Sequence, residues 1–106
     1  MKILIIEDEQ QIAQSIRDYF KTNGIQCETA ESYSLALSKI DSYDYDCILL
    51  DLMLPDGDGF DILRELKRKN KTDGVIVISA KETLETRIEG FNLGADDYLT
   101  KPFALT

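Results

Sequence analysis

Three acidic groups and one lysine carry the residue types that could do chemistry: Glu7-Asp8-Glu9, Asp51, Asp56-Gly57-Asp58, and Lys101 followed by Pro102. The first two groups end short apolar runs, Ile3-Leu4-Ile5-Ile6 and Cys47-Ile48-Leu49-Leu50. An apolar run of that length bounded by polar residues fits a strand buried on both faces. In an open α/β sheet, ligands bind outside the carboxyl ends of the strands, where the strand order reverses. If these strands are neighbours, Glu7, Asp8 and Asp51 converge. Carboxylates gathered this way repel unless a cation holds them. The pattern points to a hard divalent metal, with one carboxylate left to do chemistry.

The elements that must position these residues alternate along the chain. Residues 2–6 read as strand. Residues 9–23 read as helix, with Ile12, Ile16, Tyr19 and Phe20 at helical spacing and Asn23-Gly24 as its stop. Residues 25–30 read as a second strand. Ser32 caps a helix through about residue 42, with Ala36, Leu37 and Ile40 on one face. Residues 46–51 form the third strand, residues 55–59 a turn-rich loop, and residues 59–70 a helix with Phe60, Leu63 and Leu66 inward. Gly74 opens a strand through Val75–Ile78. Residues 82–92 read as helix with Leu84, Ile88 and Phe91 on one stripe, stopped by Gly94. Residues 95–100 lead into a short fifth strand. Five strands alternating with helices argue for an α/β fold, a parallel sheet covered on both faces.

At 106 residues the chain is long enough for one domain with one modest core. A net charge of −8 argues against nucleic-acid binding by this chain alone, because phosphate affinity needs clustered Lys and Arg. No apolar stretch approaches a membrane span, and no signal peptide is legible at the start. The two cysteines, Cys27 and Cys47, lack metal-ligand spacing and read as buried reduced thiols of a cytoplasmic protein. With no histidine in the sequence, His-based triads, His metal ligands and a phosphohistidine on this chain are excluded.

Taken in order, the motifs resemble the receiver domain of two-component response regulators over essentially the whole length. They are Ile6-Glu7-Asp8-Glu9, the run from Asp51 through Pro55 to Gly59, Ile78-Ser79-Ala80-Lys81, and Leu93-Gly94-Ala95-Asp96-Asp97-Tyr98-Leu99-Thr100-Lys101-Pro102-Phe103. The last segment looks like the OmpR/PhoB class, whose receivers precede a winged-helix DNA-binding domain. The resemblance implies a flavodoxin-like, doubly wound five-stranded parallel sheet of order 2-1-3-4-5.

It also implies roles. Asp51 would accept a phosphoryl group from a phosphohistidine on a partner sensor histidine kinase, a transfer that needs in-line positioning and neutralised charge more than covalent activation. Asp8 and Asp51 would bind Mg2+ directly, Glu7 through water, and the Met53 carbonyl would add another ligand. Lys101 would pair with Asp51 and with the phosphoryl oxygens, aimed by a cis bond to Pro102. Ser79 would hydrogen-bond the phosphoryl group, and Tyr98 would be the switch aromatic that turns as Ser79 moves. Met53 and Lys81, two residues beyond Asp51 and Ser79, would tune dephosphorylation. Arg87, Asp96 and Asp97 match part of the charged surface through which active receivers of this class dimerise.

Plainer readings stand beside these. Glu7-Asp8-Glu9 also suits an acidic helix N-terminus, and Glu9 is assigned to no more than that. Ser79 reads equally as an ordinary strand-end serine and Tyr98 as a half-buried strand tyrosine. Asp56 and Asp58 are turn and helix-cap residues, since a calcium-loop pattern breaks at Phe60. The family has a fifth helix where this sequence ends. Residues 1–106 are therefore expected to be a C-terminally truncated receiver with an apolar face left open and its effector domain outside the chain. The expected function is a phosphoacceptor switch that controls transcription and catalyses only its own modification. The alternatives are a stand-alone receiver without DNA-binding output, an aspartate-nucleophile phosphatase and a flavin module. Met53, where such a phosphatase needs a second acid, disfavours the first enzyme reading. The Glu-Asp-Glu after the first strand would repel a flavin phosphate.

Overall fold

In a computed structural model of the chain, residues 1–71, 73–80 and 84–101 are described, apart from the side chain of Leu84. Five strands pair in parallel: β1 (Lys2–Ile6), β2 (Gln26–Ala30), β3 (Cys47–Asp51), β4 (Gly74–Ser79) and β5 (Asp97–Thr100). Their order is β2-β1-β3-β4-β5, the doubly wound arrangement expected from the sequence. The register sets Ile6 opposite Leu50, Asp51 opposite Ile78, and Ser79 opposite Thr100. The residues that follow β1, end β3 and β4, and follow β5 are thereby aligned along one edge.

Among the described residues four helices flank the sheet: α1 (Gln10–Thr22), α2 (Tyr33–Ser42), α3 (Gly59–Arg68) and α4 (Leu84–Asn92). The central strands alternate their side chains between two apolar layers, as a pleated strand must. Ile3, Ile5, Leu49 and Ile78 pack with Ala13 and Ile16 of α1. Leu4, Ile6, Ile48, Leu50, Val75 and Val77 pack with α2 and α3 through Ala36, Ile40, Ile62, Leu63 and Leu66. On the α1 face, Ile12, Phe20, Cys47 and Ile76 are only partly buried. Cys27 is buried but Cys47 is half-buried, which corrects the expectation that both are buried. The two lie on either side of Ile3 with β1 between them, and both are free thiols.

Helix ends follow local chemistry. The Ser32 hydroxyl accepts from Leu35 N at 3.2 Å, the expected cap of α2. Asp58 Oδ1 accepts from Phe60 N at 2.9 Å and caps α3. Gly24 and Gly94, the two helix stops, lie at φ 74° and 109°, in the left-handed region that favours glycine. The loop after Asp51 is more ordered than a turn, with Met53–Leu54 pairing antiparallel with Gly57–Asp58.

The expected helix is present in α4, and Ile88 and Phe91 of its stripe are both 48% exposed. The helix instead approaches the core through Gly90, where a Cβ would lie 3.7 Å from the Phe60 ring and 3.8 Å from the Tyr98 ring. The expectations for Lys81, the Lys101-Pro102 bond and the fifth helix involve residues 81 and 102–106, which lie outside the described residues. Among the described residues no helix is long and apolar enough to cross a membrane.

Candidate functional site

The aligned strand ends bring Glu7, Asp51 and Lys101 into direct contact. Lys101 Nζ lies 2.6 Å from Glu7 Oε1 and 3.2 Å from Asp51 Oδ2. It also sits 3.4 Å from Glu9 Oε1, so Glu9 does more than begin a helix, because it adds to the negative field around the lysine. Asp51 Oδ1 accepts from Met53 N at 3.1 Å, so one carboxylate oxygen faces the lysine and the other the start of the following loop. Glu7 and Asp51 are buried, whereas Asp8 is exposed. A cleft of about 350 Å³ opens over them, walled by Asp8, Asp51, Met53, Ala80 and Lys101.

The backbone makes this convergence possible. Gly59 begins α3 directly against β3's end: a Cβ there would lie 2.6 Å from the Asp51 carbonyl oxygen and 2.7 Å from Leu52 Cα. Only glycine lets α3 start this close to the strand that carries Asp51. Lys101 N donates to Ser79 O at 2.9 Å, which extends the β4–β5 pairing by one residue and fixes where the lysine leaves the sheet.

Among the described residues, the site holds more negative charge than Lys101 neutralises. Burial, reinforced by the neighbouring Asp51 carboxylate and opposed by Lys101, pushes Glu7 up to about 8. Burial alone would lower the Lys101 ammonium, but Glu7 and Asp51 outweigh it and hold the lysine above its ordinary value. Glu7 Oε1 is paired with Lys101 by charge, yet has no well-directed hydrogen bond among the described residues. Glu7, Asp8 and Asp51 each offer a carboxylate oxygen, and these lie within 4.8 Å of one another. Hard oxygens, surplus charge and an under-bonded buried acceptor fit a hard divalent cation.

The remaining candidates are spread more widely. Ser79 is fully buried at the end of β4, one residue past the pair Asp51–Ile78. Tyr98 is buried rather than half-buried, with the Arg87 guanidinium 5.4 Å from its ring centre. Arg87, Asp96 and Asp97 are all exposed, but each also has an internal task. Arg87 donates to Thr100 Oγ1 at 3.1 Å, Val75 N donates to Asp96 Oδ2 at 2.7 Å, and Tyr98 N donates to Asp97 Oδ1 at 2.7 Å. Asp96 stands before β5 and ties down the start of β4, at the opposite end of the sheet from Asp51.

A larger hollow of about 510 Å³ lies where α2 and α3 end, lined in part by Asp41, Asp44, Lys69 and Lys71. Both of its lysines are paired, Lys69 with Asp41 and Lys71 with Asp44 at 2.8 Å, and its third acid, Asp73, accepts from Tyr45 N at 2.9 Å. It therefore holds no surplus charge comparable to that around Glu7.

The comparisons with known proteins agree with this geometry. Residues 3–106 match the response regulator receiver domain. The chain belongs to that family. The receiver is 42% identical to the transcriptional regulatory protein QseB of Escherichia coli O157:H7, over 99% of its own length and 48% of QseB. It thus spans about half the length of the curated relatives it matches. It superposes on the receiver domain of the Francisella response regulator 1452 with a TM-score of 0.92 at 42% identity, covering 97% of this chain and 85% of that one. DrrB of Thermotoga maritima, an OmpR/PhoB homologue, superposes at 0.86 with 30% identity, covering 96% of the receiver and 46% of DrrB. The resemblance to OmpR/PhoB-type receivers is thereby borne out, and the receiver is homologous to transcriptional response regulators of two-component systems.

Proposed function

We propose that the chain is the phosphorylation-controlled switch of a two-component transcriptional regulator, with Asp51 as the acceptor. What carries the reading is Lys101 held between two buried carboxylates, Glu7 and Asp51, at the mouth of a cleft. An oxygen of Asp51 attacks the phosphorus of a phosphohistidine on a sensor kinase. The N–P bond breaks, its electron pair returns to the imidazole, and an acyl phosphate remains on Asp51. Lys101 then trades its contact with the carboxylate for the phosphoryl oxygens. Ser79, one residue past Asp51's partner on the next strand, donates its hydroxyl to the new anion. Attack by water later releases phosphate, so the domain modifies and restores itself and turns over no free substrate.

Asp8 and Asp51, with the Met53 carbonyl and with Glu7 through water, would hold Mg2+. Bound there, Mg2+ supplies the positive charge that a phosphoryl transfer requires. The change at Ser79 is read out through Tyr98, which packs beside Gly90 of α4 and under Arg87. Exposed Ile88 and Phe91 on α4 support a partner surface next to that tyrosine, with homodimerisation through Arg87, Asp96 and Asp97 as one use of it. The chain's acidity keeps it from contacting nucleic acid itself. DNA binding belongs to a further domain of the cytoplasmic regulator.

Intact-mass measurement after incubation with acetyl phosphate and Mg2+ tests the reading. One added phosphoryl group is expected on the wild-type chain, lost in Asp51→Asn and in EDTA. A folded chain that gains nothing would overturn it.

A further inference from the structure

The loop that follows Asp51 is fastened to a helix far from it in sequence. Asp56 Oδ1 accepts from Tyr33 N at 2.6 Å, and Asp56 Oδ2 accepts from Ser34 N at 3.1 Å and from Ser34 Oγ at 2.9 Å. These are the first two residues of α2. With Ser32 holding Leu35 N, the exposed N–H groups of that first turn are shared between a local cap and a distant one. Gly57 lies flat on the Tyr33 ring: a Cβ there would come within 2.6 Å of Tyr33 Cγ. The tip so anchored is the turn of the short ladder that pairs Met53 with Asp58 and Leu54 with Gly57. The ladder's other end is the Met53 peptide, whose N–H is bonded to Asp51 Oδ1.

We infer that Asp56 is a positioning residue for phosphoryl acceptance: by clamping the loop tip to the first turn of α2, it fixes the Met53 peptide against Asp51. The inference rests on reading Asp51 as the acceptor and the Met53 carbonyl as a metal ligand. The physical ground is that ligand groups are held by what supports them from behind, and a two-rung ladder is too short to hold itself rigid. The carboxylate is well matched to the task, because the Tyr33 amide, then the Ser34 amide and hydroxyl, hold it below the ordinary carboxylate range and so keep it charged.

The test compares Asp56→Ala with Ser32→Ala, which weakens the same helix turn through a bond that does not involve the loop. The first readout is hydrogen exchange at the Met53 amide without Mg2+, and the second is the Kd for Mg2+ by titration calorimetry. Asp56→Ala is expected to speed Met53 exchange and to weaken Mg2+ binding by about tenfold each, while Ser32→Ala changes both by less than about twofold. Unchanged values in Asp56→Ala, or equal changes in both variants, would show a plain helix cap and overturn the inference. If Asp56→Ala does not fold, Asp56→Asn carries the same comparison, since it keeps one acceptor oxygen and loses at least one of the three bonds. Failure of the wild-type chain to take a phosphoryl group would sink the proposed function instead, and the metal-free exchange comparison would still decide whether Asp56 anchors the loop.

Discussion

Glu7 and Glu28 are both glutamates within 3 Å of a lysine ammonium, yet their environments push them in opposite directions. Glu7 is raised to about 8 by burial and by Asp51 beside it. Glu28, on β2, is held down to about 2, first by Lys2, against a burial penalty, with Lys39 and the Tyr45 hydroxyl adding to the lowering. Glu28 has Lys2 at 2.9 Å, Lys39 at 3.1 Å and Tyr45 Oη at 3.1 Å all to itself. Around Lys101, one ammonium is shared among Glu7, Glu9 and Asp51. The flank of the sheet thus gives its one acid two ammonium groups. The strand-end cluster is left acid-rich, and that surplus suits it to a cation.

The largest effect that sharpens this contrast is expected at Lys101. Lys101→Met in metal-free buffer at pH 8 should destabilise the fold by about 3 kcal/mol in urea unfolding, because it strips the counter-ion from buried Asp51 and from the ionised fraction of Glu7. A loss no greater than that of a surface lysine would break the contrast at its root.

Glu7→Gln should do the reverse and stabilise the metal-free chain at pH 8 by about 2 kcal/mol while weakening Mg2+ binding. The sign follows from its raised value: the folded chain holds this proton more tightly than the unfolded one. The group therefore costs stability as pH rises from 4.5 to about 8, and the variant removes that slope.

Glu28→Gln is expected to cost about 1 kcal/mol at neutral pH, discounted because the side chain is partly exposed. Here the folded value is depressed, so the contribution is full above 4.5 and is lost as pH falls toward 2. Unfolding curves of wild type and variant should therefore converge in acid. Parallel curves across that range would contradict the assignment. The smallest change, about 0.5 kcal/mol in thermal or urea unfolding, is expected for Lys39→Met, since Lys2 and Tyr45 remain on Glu28.

Much of the fold was legible because its signals are local. Apolar runs of strand length marked β1 and β3, and Ser32 and Asp58 announced the helices they cap by lying one residue before them. The α4 stripe marked its helix but not how that helix is turned. Helical spacing of Ile88 and Phe91 shows that a helix has an apolar face, not which way that face turns, and Gly90 lets the opposite side pack. Two features left little trace in the sequence. The Glu28 cluster unites four residues from β1, β2, α2 and the segment before β3. Asp56 was read correctly as a residue of a turn, but nothing near it indicates that it caps a helix more than twenty residues earlier.

The sequence by itself determined which elements form and where carboxylates and a lysine stand at their ends, because strand burial, helix periodicity and caps act over a few residues. Only the tertiary structure decided how those charges were shared: three acids on one lysine at the strand ends, one acid with two lysines and a tyrosine on the flank. That partition depends on strand order and register, which bring residue 101 to residues 7 and 51. Burial then turns the same carboxylate into either a structural anchor or a poised, charge-crowded site.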